Sequence, residues 1–210
     1  MSHHEETLST WHKVAQLSHE KFMDLDLYNE SYVLFSSAIE QPNAWILEIG
    51  CGPGNITKHL VTLREDFIIH GIDFAANMIE LAKKNVPTAT FEVRDAKNIS
   101  SLNNKYDGIM VGFCLPFLNT EESAQLILDA STLLNKNGIL YLSFVEGDPS
   151  FSGFKTSSTG DRTYFYYHEL AVLTKGINDA GFETTHILHV NYGDTNSKQE
   201  IHTILIAKKL

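Results

Sequence analysis

Trp45-Ile46-Leu47-Glu48-Ile49-Gly50-Cys51-Gly52-Pro53-Gly54-Asn55 is the stretch on which the fold turns. Three apolar residues lead into an acid, and the acid leads into glycines at alternate positions. A short apolar run bounded by glycine predicts a buried parallel strand that ends in a tight loop. Gly50, Gly52 and Gly54 carry no Cβ, so the loop can take positive φ and let a ligand approach the backbone. Ile56, Leu60 and Leu63 then recur at helical spacing behind Asn55, a good N-cap residue. A strand, a glycine loop and a helix N-terminus in that order make a nucleotide-type site at the carboxyl end of a strand. The loop differs from the dinucleotide fingerprint G-x-G-x-x-G. Its glycines read G-x-G-x-G, and Asn55 stands near the place of the last glycine. Glu48 would also repel a pyrophosphate, whereas it suits an ammonium.

These residues carry a resemblance. Glu48 to Gly54 resembles motif I of the class I S-adenosylmethionine-dependent methyltransferases, whose loop wraps the amino-acid part of the cofactor. The resemblance covers about residues 44–208 and is strongest over 45–55. It implies a Rossmann-like seven-stranded, mostly parallel α/β sheet with helices on both faces and an antiparallel C-terminal hairpin. It also implies S-adenosylmethionine as cofactor, with S-adenosylhomocysteine as product.

The 210 residues fit one compact domain, with residues 1–43 as a helical N-terminal cap and 44–210 as the cofactor-binding part. The hydrophobic fraction of 43% is that of an ordinary globule. A net charge of −10 disfavours non-specific binding to nucleic acid or an anionic membrane. Two cysteines, Cys51 and Cys114, give neither a disulfide framework nor a metal spacing, so no metal is expected. No apolar run is long enough to span a bilayer and no signal peptide is seen. A cytoplasmic protein, monomeric or homodimeric, is the expectation, with the polar start Met1 to Glu6 frayed.

Along the chain, Trp11, Val14 and Leu17, then Tyr28, Tyr32, Phe35 and Ile39, predict helices over 7–41 with a break at 22–28. Trp11, Tyr28 and Tyr32 either pack this cap on the sheet or close over a ligand. Phe67 to Asp73 predicts the second strand, and Phe74, Met78, Ile79 and Leu81 the helix after it. Asp73 lies nineteen residues past Gly54, near the interval at which dinucleotide folds place a ribose-binding acid. Asp73 is either that acid or a helix cap. Thr88 to Ala96 predicts a more exposed third strand, and the resemblance assigns Asp95 and Ala96 to the adenine ring. Tyr106 to Gly112 is the fourth strand, and in the resembled fold Gly112 and Phe113 lie beside the sulfonium. With Glu48, Gly50, Cys51, Gly52, Gly54, Asp73, Phe74 and Met78, these complete the expected cofactor site.

Thr120 to Ser123 predicts the start of a helix that Asn137-Gly138 ends, before a fifth strand over 139–145. Residues 146–165 are polar and glycine-rich, too long for a simple connector, and are expected to form a loop acting as a substrate lid. A helix over 170–180 and strands over 182–192 and 200–208 follow, joined by Gly193 to Asn196. The expected reaction is in-line methyl transfer to a small-molecule acceptor. Trp11, Tyr28, Tyr32, Arg162 and Tyr166 are the candidate substrate residues. His168, Glu146 and Tyr167 are candidates for a base if the acceptor must lose a proton, His168 more as a structural residue. The alternatives are an RNA- or protein-modifying methyltransferase, a nicotinamide-dependent oxidoreductase, and a cofactor-binding protein without catalysis. The missing basic tract argues against RNA, and Glu48 and Asn55 argue against nicotinamide.

Overall fold

A computed structural model describes residues 3–157, 160–193 and 200–210. Two helices come first, α1 (His3–Phe22) and α2 (Asn29–Ala38). An alternating run follows: β1 (Trp45–Ile49), α3 (Asn55–Leu63), β2 (Ile68–Asp73), α4 (Ala76–Asn85), β3 (Thr90–Val93), β4 (Tyr106–Val111), α5 (Thr120–Leu133) and β5 (Leu134–Val145). The chain closes with a small hairpin, β6 (Gly153–Thr156) and β7 (Arg162–Phe165), then α6 (Leu170–Asp179), β8 (Phe182–Tyr192) and β9 (Glu200–Lys209).

The main sheet has seven strands in the order β3-β2-β1-β4-β5-β9-β8. β1 lies between β2 and β4 in parallel register, with Glu48 beside Gly71 on one side and Met110 on the other. β9 runs antiparallel to both β5 and β8, so the C-terminal hairpin inserts its second strand next to the parallel set. Side chains alternate between two cores, as the pleat demands. Leu47, Ile49, Ile109 and Leu140 pack on α5 and α6 through Leu126, Ile127 and Ile177. Ile46, Ile69, Met110 and Tyr141 pack on α2 and α3 through Phe35, Ile39 and Leu60. Both faces are covered, which is why the central strands are largely apolar.

Several local expectations are corrected. α5 is capped one residue before Thr120: Asn119 Oδ1 accepts from Glu122 N–H and Glu122 Oε2 accepts from Asn119 N–H, each at 2.9 Å. α5 also ends at Leu133, and Asn137, at φ +63°, lies inside β5 rather than at a helix end. The pairing of Tyr106 with Leu134, ahead of the regular β4–β5 register, recruits this segment to the sheet edge. The third strand is only Thr90–Val93, because Asp95 turns the chain into a short 3-10 segment, Ala96–Ser101. Residues 146–165 are not an irregular loop. They contain a 3-10 turn (Pro149–Phe151) and the β6–β7 hairpin, paired from Gly153–Phe165 to Thr156–Arg162. The N-terminus is helical from His3 instead of frayed; Met1 and Ser2, like most of the turn after Gly193, lie outside the described residues.

Candidate active site

The glycine loop bends over the end of β2. Gly50 N–H and Cys51 N–H both donate to Ile72 O, at 2.8 and 3.0 Å. Gly50 and Gly52 sit at φ +72° and +52°, where a side chain is strained. Asp73 ends β2, and its carboxylate accepts from Gly52 N–H at 3.0 Å and Ala75 N–H at 2.8 Å. It therefore holds the loop to the start of α4, and burial pushes its carboxyl up to about 6 against those two bonds.

Glu48 lies behind the loop and is fully buried. Its Oε2 accepts from Thr57 Oγ1 at 2.5 Å, while Oε1 has no partner. Burial pushes this carboxyl up to about 8, opposed by the bond from Thr57. An unsatisfied buried acceptor of this kind calls for a donor or a cation. Asp95 accepts from Lys97 N–H at 2.9 Å and meets His4 Nε2 at 3.1 Å, so the start of α1 reaches across to the end of β3.

These strand ends open into a cavity of about 470 Å³. Nine of the twelve expected cofactor residues line it: Gly50, Gly52, Asp73, Phe74, Met78, Asp95, Ala96, Gly112 and Phe113. Glu48, Cys51 and Gly54 do not. Cys51 is buried beside its own loop. At Gly54 (φ +85°) a Cβ would stand 3.3 Å from Ala82 Cα, so this glycine serves the close packing of α3 on α4.

Trp11, Tyr28, Tyr32 and Tyr166 line the cavity as well. Tyr28 and Tyr32 are also buried core residues, so they pack the cap on the sheet and at the same time line the cavity. Arg162 points elsewhere: its guanidinium pairs with Glu6 (Nε–Oε1 2.8 Å) and lies over the Phe154 ring. The three expected bases lie away from the cavity wall. His168 is buried, with Nε2 hydrogen-bonded to Leu115 O at 2.8 Å, and burial keeps its imidazole below its ordinary range. Glu146 accepts from Thr203 Oγ1 at 2.7 Å and faces a shallow depression beside α6. Tyr167 donates to Glu200 at 3.2 Å.

Sequence reading missed four further polar residues that line the cavity. His202 and Glu200 on β9 and Tyr192 on β8 line the cavity together with Lys155 of the hairpin. Lys155 Nζ meets Glu200 Oε1 at 2.6 Å. His202 is buried, stacks on Tyr192 with ring centres 4.6 Å apart, and shares a 2.7 Å hydrogen bond with Tyr28 Oη. The available signal was a histidine next to the apolar run Ile204 to Ala207.

A family model described as a methyltransferase domain matches residues 46–138. An uncharacterized methyltransferase of Anoxybacillus flavithermus is 30% identical over 113 residues, 54% of this chain and 52% of that protein. Another, from Alkaliphilus oremlandii, is 29% identical over 164 residues, 76% of this chain and 73% of that protein. The chain spans about half the length of the first curated relatives it matches, 43%, 52% and 53%. In fold it is similar to the 1,6-didemethyltoxoflavin-N1-methyltransferase of Burkholderia thailandensis, solved with bound 1,6-didemethyltoxoflavin and S-adenosylhomocysteine. That likeness has a TM-score of 0.72 at 16% identity and covers 100% of this chain and 91% of the other. The fold and the glycine-loop site thus define a cofactor-binding α/β domain. Over residues 46–138 the chain is similar to a methyltransferase domain.

The site fits S-adenosylmethionine. The loop backbone is open to the cavity at Gly52, where a Cβ would meet nothing nearer than 3.9 Å. Acids stand at two successive strand ends, and a buried carboxylate oxygen behind the loop lacks a partner. No described helix is long and apolar enough to cross a membrane, and no group of metal-ligating side chains occurs among the described residues.

Proposed function

We propose that the protein transfers a methyl group from S-adenosylmethionine to a small molecule. The observation that carries this reading is a cavity in which the glycine loop and Asp73 share one space with walls from α1, the β6–β7 hairpin and β8–β9. Its volume, about 470 Å³, lies in the range of small-molecule pockets. A net charge of −10 argues against a nucleic-acid acceptor. β9, antiparallel beside β5, separates this sheet from the parallel dinucleotide-binding arrangement.

In this reading Gly50 and Gly52 admit the amino-acid part of the cofactor to the loop backbone. Glu48, buried behind the loop, attracts the cofactor's ammonium through space. Asp73 keeps one lone pair on each oxygen for the ribose hydroxyls, and Phe74 and Met78 flank the base. Asp95 and Ala96 N–H receive the adenine edge, for which His4 must leave Asp95. The bound cofactor supplies a methyl already activated on sulfonium. The chain therefore has to align the acceptor, keep water out and accept any proton released. α1 and the hairpin exclude water by covering the mouth of the cavity. The protein acts as a monomer or homodimer on a small acceptor.

The test is isothermal calorimetry with S-adenosylhomocysteine, NAD and NADP, followed by a metabolite screen with labelled methyl donor. S-adenosylhomocysteine is expected to bind and to raise Tm. NAD binding without S-adenosylhomocysteine binding would overturn the reading.

A further inference from the structure

The cavity has one buried polar couple that cofactor binding does not use. Tyr28 Oη and His202 Nδ1 are 2.7 Å apart, and both residues line the cavity. Each ring lies 4.9 Å, centre to centre, from Phe113, the residue that follows Gly112 at the end of β4. The couple thus flanks the end of β4, which the resemblance sets beside the sulfonium. Around it the walls are aromatic: Trp11, Phe117, Tyr164, Phe165, Tyr166 and Tyr192.

The groups facing His202 come from four elements. They are Tyr28 ahead of α2, Tyr192 on β8, Glu200 on β9 and Lys155 on β6. Burial pushes the His202 imidazole down to about 4, so it is neutral and free to accept. Burial holds the Tyr28 phenol well above its ordinary range, so Tyr28 keeps its proton and donates it to Nδ1. The imidazole proton then sits on Nε2, on the side of Glu200 Oε2, 3.9 Å away.

We propose that the Tyr28–His202 couple takes the proton from a hydroxyl on a planar, largely apolar acceptor, which sets the substrate class of the cavity. This rests on the methyl-transfer reading. The acceptor O–H bond breaks as its oxygen bonds to the methyl carbon, and the C–S electron pair stays with sulfur. The released proton goes to Tyr28 Oη while the Tyr28 proton passes to His202 Nδ1. The imidazolium so formed faces the Glu200 carboxylate, which Lys155 holds in place at 2.6 Å. The product is a neutral methyl ether. The flat aromatic walls select a ring system, and the couple selects the hydroxyl on it.

The probes are 2-naphthol and naphthalene, added to the complex with S-adenosylhomocysteine. Excited 2-naphthol emits as naphtholate when an acceptor takes its proton. The wild-type complex is expected to bind 2-naphthol at least tenfold more tightly than naphthalene and to show bound naphtholate emission. His202→Gln should reduce the preference to below threefold and remove that emission. Tyr28→Phe should do the same, and it serves if the His202 variant does not fold. A wild-type complex that does not prefer 2-naphthol, or variants that keep both preference and emission, would overturn the proposal. Failure of S-adenosylhomocysteine to bind the wild type would instead sink the methyl-transfer reading itself, and this proposal with it.

Discussion

Gly52 N–H donates to Asp73 Oδ2 at 3.0 Å, so the acid at the end of β2 holds the glycine loop while facing the cavity. Sequence spacing offered ribose binding or a helix cap as its role, and neither includes this bond. Asp73→Ala leaves two backbone donors without their acceptor and should cost about 1–3 kcal/mol of stability. Both Asp73→Ala and Asp73→Asn should weaken S-adenosylhomocysteine by about 1.5–3 kcal/mol, the worth of a charged acceptor. Asp73→Asn should lose less stability, because its carbonyl can still accept one N–H. Urea denaturation and calorimetry separate the two effects. Wild-type affinity in a folded Asp73→Ala protein would leave Asp73 with the loop-holding role alone.

Gly52 and Gly54 look alike in sequence and differ in surroundings. A methyl on Gly52 enters the cavity, whereas one on Gly54 meets Ala82 at 3.3 Å. Both have positive φ, so either alanine adds left-handed strain of roughly 1–2 kcal/mol. Gly52→Ala should therefore lower S-adenosylhomocysteine affinity beyond tenfold with modest destabilisation. Gly54→Ala should destabilise at least as much and leave the affinity of the folded fraction near wild type. Equal affinity losses in the two variants would refute the division.

Glu48 makes stability depend on pH. Its folded carboxyl titrates at about 8 against an ordinary 4.5, with burial as the main cause. Between those values the folded protein keeps a proton that the unfolded chain has released. Its contribution is therefore full below about 4.5 and is lost as pH rises through about 8. Glu48→Gln should flatten this part of the profile. Saturating S-adenosylhomocysteine should flatten it too, because an ammonium held by the loop in front of Glu48 stabilises the carboxylate. Thermal midpoints across that window check both. A Glu48→Gln profile that falls as steeply as wild type assigns the slope to other groups.

The donor half of the site was legible because it is local. Glycines, an apolar strand and an acid at the next strand end lie within one βαβ unit, and the loop geometry follows from their order. The acceptor half is assembled from segments far apart in sequence. Tyr28 meets His202 across 174 positions, and Thr10 meets Arg162 across 152. No spacing rule reports such pairs. His168 stood out because of its tyrosine neighbours, yet its imidazole turns inward to Leu115 O. The hairpin at 153–165 read as a loop because its strands are four residues each and only partly buried. Without a clear apolar alternation its pairing is set by contact with α1.

That contact gives the last prediction. Several side-chain bonds among the described residues clasp α1 to the hairpin. Thr10 Oγ1 donates to Arg162 O at 2.6 Å, Thr7 Oγ1 accepts from Tyr164 N–H at 2.9 Å, and Arg162 pairs with Glu6. The far ends of the hairpin are adjacent, since Ser152 Oγ accepts from Tyr167 N–H at 3.1 Å. A short Gly-Ser turn in place of residues 153–165 can therefore close the chain without moving the main sheet. That change removes Lys155 and three cavity-lining residues of β7 but none at the donor strand ends. S-adenosylhomocysteine affinity should stay within about threefold of wild type, roughly 0.65 kcal/mol. Methyl transfer, or binding of the 2-naphthol probe, should be lost or change its selectivity. Thr7→Val with Thr10→Val is the milder form: two bonds of about 1 kcal/mol each disappear with little change in side-chain volume. Amide exchange at Tyr164 and along the first turns of α1 should then quicken while global stability falls only slightly. If the shortened protein binds S-adenosylhomocysteine and handles its acceptor as wild type does, the hairpin does not wall the acceptor site.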